Sequence, residues 1–396
     1  MVRRAVLGSL IVLGMVGPAT ADTNYVPAGG DLREAIDRAQ PGDVILLEPG
    51  AVYRGDFVLS VKSGSEYITI RSATPDDQLP GPTERMTWDY AGLLPIIEND
   101  DAYAVFRTVP GAHHWRLQFL HIRAARLLYN LIQLGGYETT VEATPSNIIL
   151  DRLLLEAHSQ GTQRGVAVNG RYLEVLNSSF YGFWDLDTDS QAIMGWNGPG
   201  PILIENNYLE AGSENVLFGG ADPLIPYLVP SDIVIRRNDI VKPIEWREQR
   251  HRFLVKNLLQ LKNAQRVLIE GNRFTNCWVA AQDGTALSLS VTNQHGGCTW
   301  CIVRDVTIRH NIIESAEGNG LIISGRDWYN PSDIMTNVRI ENNLWLDIGG
   351  WFIAVSRPPS DLAIDHNTVV NLRYTAAVWL GDREWDASGF TFTNNL

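Results

Sequence analysis

Along much of this chain, apolar residues alternate with polar ones and the run then stops at an asparagine. The pattern apolar-x-apolar-x-x-Asn fits Ile202/Ile204/Asn207, Ile233/Ile235/Asn238, Val267/Ile269/Asn272 and Val306/Ile308/Asn311. It returns at Val338/Ile340/Asn343, Leu362/Ile364/Asn367 and Phe390/Phe392/Asn395. Weaker copies come earlier, at Trp115/Leu117/Leu120, Ile148/Leu150/Leu153 and Leu173/Val175/Ser178. Successive Asn are 31, 34, 39, 32, 24 and 28 residues apart. Period-two alternation denotes a strand with one buried face. An Asn directly after it suits a tight turn, because its side chain bonds nearby backbone and tolerates unusual dihedrals. Each interval holds two more short apolar strands, such as Leu259-Gln260-Leu261 before Val267 and Phe274 after Asn272. Three short strands per repeat predict a parallel β-helix with the turn Asn stacked coil on coil, an asparagine ladder. A β-sandwich of evenly spaced strands is the rival architecture.

The segment Asp31–Asp43, DLREAIDRAQPGD, reads as a short amphipathic helix with Leu32, Ala35, Ile36 and Ala39 on one face. Asp31 is placed as its N-cap with Glu34 three residues on, and Pro41-Gly42 ends it. Such a helix would cover the apolar end of the first coil. The run DLREAIDRAQPGDVILLEPGAVYRGDF resembles the opening of pectate-lyase-like right-handed parallel β-helix proteins. With the Asn turns, that resemblance spans nearly the whole chain. It implies an all-β solenoid with an N-terminal capping helix. It leaves the reaction open, since that superfamily includes lyases, hydrolases, epimerases and adhesins.

Arg3 and Arg4, the apolar run Ala5–Val16 and Ala19-Thr20-Ala21 have the order of a secretory signal peptide. Residues 1–21 are therefore expected to be a signal and 22–396 one domain, secreted or periplasmic. No later stretch is long enough and apolar enough to span a bilayer. The last coil stops at Asn394-Asn395-Leu396 without a third strand, so a longer natural chain with a C-terminal cap is expected.

Of 396 residues, 45% are hydrophobic and 19% charged, a globular composition. The formal charge of −13 opposes binding to nucleic acid. Three cysteines exclude a disulfide scaffold, although Cys298-x-x-Cys301 is placed to form a local bridge. A monomer is expected.

The repeat groups Ala192–Met194, Asn215–Phe218, Leu258–Lys262, Ala286–Ser290, Leu321–Ser324, Phe352–Ser356 and Ala377–Leu380 into one sheet. The resemblance implies that a substrate lies along the outside of this sheet. Between Arg236 and Arg273 stand ten basic residues and four acidic ones, including Lys242, His251's neighbours Arg250 and Arg252, Lys256 and Arg266. This local excess of positive charge suggests an acidic polysaccharide as partner, and a solvated surface loop is the plainer account. Lys262 follows Leu259 and Leu261 at period two, so its side chain is expected to leave the sheet outward. β-Elimination from a uronate needs a base for the proton α to the carboxylate and a cation to stabilise the charge that develops. Lys262 is the candidate base, with Arg266 beside it. A Lys crowded by cations gives up its proton more readily. Lys256, Arg252, His251, Lys242, Trp196 and Trp246 are candidate substrate contacts.

The run LQLKNAQRVLIEGNRF with ALSLSVTNQHG resembles the Lys-bearing coil of chondroitinase-B-like and alginate-lyase β-helices. That family places Arg-His-Gly at the end of the next strand. Ser290-Val291 stand there in this chain, with His295-Gly296 displaced. Asp185, Asp187 and Asp189, at alternate positions, are candidate ligands for a calcium ion that would offset the uronate charge. A paired-carboxylate hydrolase drawing on Asp187, Asp189, Glu214 and Asp222 is an alternative, as is a non-catalytic carbohydrate-binding or adhesion solenoid.

Overall fold

The structure is a computed structural model that describes residues 21–248, 254–374, 377–381 and 388–396. The signal-like residues 1–20 lie outside them. The described strands form three sheets of 13, 11 and 11 strands, here sheets A, B and C. In each sheet every strand pairs in parallel with its counterpart one coil away. One coil illustrates the plan. Ala264–Glu270 lies in sheet A, Arg273–Cys277 in sheet B and Leu287–Ser290 in sheet C. The next coil repeats the order with Val303–Arg309, Ile312–Ala316 and Leu321–Ser324. The chain is a right-handed parallel β-helix.

The alternating apolar residues of sheet A point inward and stack in register. Val267 pairs with Val306 and Ile269 with Ile308, and Val306 and Ile308 pair in turn with Val338 and Ile340. A single apolar core threads the solenoid from Val26 to Ile364. Aromatic side chains fill its wider parts, with Phe57 and Phe106 5.5 Å apart and Trp345 and Phe352 5.1 Å apart.

The turn from sheet A to sheet B takes two residues. The first adopts a left-handed backbone: Asn206, Arg237, His310, Asn342, His366 and Asn394 have φ between 50° and 55–56°, and Gly271 has φ 65°. The second is the Asn of the sequence pattern. Its Oδ1 accepts the backbone N–H of its predecessor one coil back, at 2.9 Å from Asn207 to Asn238, 3.0 Å from Asn238 to Asn272 and 2.9 Å from Asn272 to Asn311. The same bonds continue through Asn343, Asn367 and Asn395. Each buried amide also donates to a strand carbonyl, as Asn272 does to Ile235 O at 2.8 Å. An Asn fits because it offers an acceptor and a donor at once in a place sealed from water.

Helix α1 (Leu32–Arg38) starts where expected, with Asp31 Oδ1 accepting the Glu34 N–H at 2.9 Å. Its Leu32, Ala35 and Ile36 join the main core. Cys298 and Cys301 form a disulfide. No described helix is long and apolar enough to cross a membrane.

Candidate functional site

Sheet C presents three parallel rows of outward side chains. The first row comprises Asn130, Arg164 and Gln191, which open their strands, and Glu214, Asn257, Thr285 and Asn319, each two residues before its strand. Register places Asn130 against Arg164 and Arg164 against Gln191. These side chains are hydrogen-bonded along the solenoid axis. Arg164 Nε donates to Gln191 Oε1 at 2.8 Å, and Gln191 Nε2 donates to Glu214 Oε2 at 3.1 Å. The second row contains Ala167, Met194, Leu217, Gln260, Ser288, Ile322, Ala354 and Trp379, paired in register. The third holds Lys262 and Ser290, and then Ser324, Ser356 and Gly381 in register with Ser290.

Lys262 stands at the end of its strand, half-buried. Its backbone N–H donates to Phe218 O at 2.7 Å, so the main chain is fixed. A Cβ on Gly219, one coil before, would fall 2.7 Å from the Lys262 Cβ. Gly219 also has φ 96°, a backbone that L side chains rarely adopt. The glycine thus clears one flank of Lys262. Among the described residues its ammonium has no hydrogen-bond or ion-pair partner.

The other lysines nearby are engaged. Lys256 pairs with Asp189, and its Nζ lies 3.9 Å from Glu214 Oε1. Lys242 is fully buried, and its Nζ donates to Ala211 O at 3.1 Å, Gly212 O at 2.7 Å, Ser213 O at 2.7 Å and Asn215 Oδ1 at 3.0 Å. These four acceptors bracket Glu214, so Lys242 holds the segment that carries it. Burial pushes the Lys242 ammonium down to about 8, against the pull of Cys277 and Glu214. Glu214 is itself sealed from solvent. Its carboxyl is held above the ordinary range first by burial and then by Asp189, with Lys256, Lys262 and Gln191 opposing. Glu214 Oε1 accepts no hydrogen bond among the described residues, and neither does the buried Asn257 Oδ1 on the same row.

Arg164 is the second cation of the face. Its guanidinium lies 4.7 Å from the Tyr129 ring and 5.7 Å from the Trp196 ring. Burial holds its pKa below that of a free guanidinium, with Tyr129 opposing. Tyr129 and Tyr137 are exposed beside it.

Several expected contacts fall elsewhere. Arg266 sits on sheet A with its guanidinium on both oxygens of Asp232, at 2.7 and 2.8 Å. It is therefore not beside Lys262. Lys242, expected as a substrate contact, is enclosed and cannot touch one. Trp246, on the short helix Glu245–Glu248, packs half-buried against Val255 and Trp278. His251 and Arg252 lie outside the described residues. The basic stretch is spread around the solenoid. Arg236 and Arg237 pair with Glu205, Arg273 with Glu314 and Arg247 with Glu317. Residues adjacent in sequence travel around a coil, so this run does not build one cationic groove.

The three aspartates do not assemble as an ion site. Asp185 Oδ1 accepts the N–H groups of Asp187 and Thr188 at 2.8 and 2.9 Å, and Asp189 pairs with Lys256. Among the described residues no three His, Cys, Asp or Glu side chains gather in a metal-binding group. Asp222 accepts N–H groups of His295 and Gly297, which fixes the disulfide-bearing loop. Trp196 and Lys262 each follow the last residue of a sheet C strand, whereas Lys256 lies ahead of one, at the opposite edge. The structure adds Arg164, Gln191 and Gln260, which sequence reading passed over. For Arg164 and Gln191 the signal was a polar residue opening a sheet C strand, as Asn130 does. The identity of that residue changes from coil to coil, so a search for a repeated residue type does not find it.

No protein-family model matches the chain, and no curated protein does. Solved structures do match. The catalytic unit of a GH87 α-1,3-glucanase from Streptomyces thermodiastaticus is 14% identical with a TM-score of 0.57, over 96% of this chain and 69% of that one. The A-module of a mannuronan C-5 epimerase from Azotobacter vinelandii is 12% identical with a TM-score of 0.53, over 92% and 93%. A PL6-family alginate lyase variant is 15% identical with a TM-score of 0.53, over 94% of this chain and 53% of that one. At such identities the likeness establishes the shared β-helix fold.

Proposed function

We propose that this chain is an exported enzyme that cleaves a uronic-acid polysaccharide by β-elimination on the outer face of sheet C. The observation that carries this reading is Lys262. It is a half-buried lysine whose ammonium has no partner among the described residues, set at the end of its sheet C strand and flanked by a bare glycine. Two of the matched proteins are an alginate lyase and a mannuronan C-5 epimerase, which favours alginate as the first substrate to try. The signal-like N-terminus supports export.

In this reading neutral Lys262 takes the proton α to the uronate carboxylate. The bond from the β-carbon to the glycosidic oxygen breaks, a carbon–carbon double bond forms, and the leaving oxygen takes a proton back from the lysine ammonium. Arg164 lies three strands of sheet C from Lys262, where it would meet a carboxylate farther along the polymer rather than the one at the reacting sugar. Lys256 offsets the charge of Asp189. The paired-carboxylate alternative is disfavoured because Glu214 is sealed from solvent. The test is a panel of alginate, polygalacturonate, hyaluronan and chondroitin, read by the absorbance of the unsaturated product. A polymer cleaved by the chain and spared by Lys262→Ala supports the reading. Reducing ends released without new absorbance would point to hydrolysis, and binding without cleavage to an adhesion module.

A further inference from the structure

Past Lys262 the floor of sheet C turns aromatic. Trp351 and Trp379 stack with ring centroids 5.4 Å apart and planes 29° from parallel. Tyr374 meets the edge of Trp351 at 5.3 Å. A Cβ on Gly381 would fall 1.8 Å from the Trp379 indole, so the glycine lets this ring lie flat on the sheet. Trp328, Trp351 and Trp379 share a cavity of about 240 Å³ with Ser290, Ser324 and Ser356. Arg357 lies 4.0 Å over the Trp328 ring. Its Nη1 donates to Asp327 O at 2.7 Å, while its buried Nε has no partner.

Scattered exposed aromatics are ordinary, but several sharing one groove mark a binding surface. Trp328 is 53% exposed and Trp379 40%, so each ring, though covered in part, still meets solvent. The serines belong to the row that begins at Lys262, so the cavity lies on the same outer row of sheet C. Trp379 lies four strand steps from Lys262's strand, about 19 Å at the spacing of paired strands. A pyranose has one C–H face that stacks on an indole and hydroxyls that bond serines. A uronate adds a carboxylate, for which a guanidinium is the matching donor.

We propose that Trp328, Trp351 and Trp379 form a pyranose-stacking subsite that holds the far end of a uronate oligosaccharide reaching Lys262, with Arg357 beside a sugar carboxylate. This rests on reading the Lys262 groove as a polysaccharide site. The consequence is a dependence on chain length. Short oligomers engage only the Lys262 end, and long ones gain the platform.

The test uses mannuronate oligomers of graded length on the Lys262→Ala chain, which allows binding to be measured without turnover. Affinity is followed by calorimetry and tryptophan fluorescence. Long oligomers are expected to bind about tenfold or more tighter than short ones. Trp379→Ala is expected to remove most of that gain and Trp379→Phe to keep most of it. Trp328→Ala alters an exposed loop residue, should leave the fold intact, and is expected to act in the same direction. Equal affinity for long and short oligomers, or a length dependence unchanged in all three variants, overturns the subsite. Cleavage by the unmodified chain is scored separately. Length-dependent binding through the tryptophans without cleavage keeps the subsite and ends the lyase reading. Cleavage that ignores the tryptophan changes does the opposite.

Discussion

At the scale of single residues, the three lysines near sheet C differ in what surrounds them, and the difference assigns their tasks. Among the described residues the Lys262 ammonium has no partner to lose, so Lys262→Ala should fold normally and reduce turnover by roughly 10²–10⁴-fold, the usual cost of a missing acid–base group. Lys262→Arg should fail nearly as badly, because a guanidinium does not release its proton in the working range; full activity in that variant would end the base assignment. Lys242 is the opposite case. Lys242→Met leaves Ala211 O, Gly212 O, Ser213 O and Asn215 Oδ1 without their donor. It should lower unfolding free energy by about 3 kcal/mol in urea, as expected for stranded buried acceptors. Glu214 gives a pH signature. Its folded-state pKa is raised above the ordinary 4.5, so it contributes stability that is whole below that pH. That contribution fades as pH rises through the raised value. Melting temperatures recorded from acid to neutral pH should show this decline, and Glu214→Gln, which cannot ionise, should flatten that part of the curve. The outward direction of Lys262 was legible because alternation fixes which face a strand residue takes. The enclosure of Lys242 was not, since the carbonyls that surround it lie about 30 residues earlier and its own position carries no mark of burial.

At the scale of elements, the repeat was legible because one physical demand recurs at the same place in each coil. The A-to-B turn needs a left-handed residue followed by a side chain that both donates and accepts, and only the second requirement holds the residue type constant. The first is met by Asn, Arg, His or Gly, so the left-handed position leaves no single-letter signature. The same reasoning explains why the polar row of sheet C went unread. Asn130, Arg164, Gln191, Glu214 and Asn257 share a position but not a chemistry. The Asn column yields a prediction about position in the stack. Asn272 accepts from Asn238 and donates to Ile235 O and Asn311, all in buried surroundings. Asn272→Ala should cost about 3 kcal/mol, since it strands groups in both neighbouring coils. Asn395, part of whose bonding is exposed, should cost markedly less when changed to Ala. Equal losses in urea unfolding would mean that the column does not act through buried amides.

At the scale of the whole molecule, a β-helix separates two kinds of neighbourhood. Residues close in sequence are dispersed around a coil, while residues one coil apart lie side by side. The basic run from Arg236 to Arg273 illustrates the first, since its arginines pair on other faces with Glu205, Asp232, Glu314 and Glu317. The groove illustrates the second, gathering Arg164, Lys262 and Arg357 from widely separated parts of the sequence onto one face. This arrangement bears on how a chain of charge −13 could hold a polyuronate at all. The body repels the ligand at long range, and attraction must come from a few cations close to it. Added salt screens both, but the Debye length of about 8 Å at physiological ionic strength weakens the distant repulsion before the contact pairs. Affinity for alginate should therefore stay level or rise slightly at the lowest salt, and fall as salt increases further. Arg164→Gln, which keeps a donor for Gln191 and removes the charge, should lower affinity and make the fall shallower. Calorimetric titrations across salt concentrations would check this. Binding that is indifferent to salt, or that prefers a neutral glucan, would place the recognition in the aromatic platform and remove the uronate from the account.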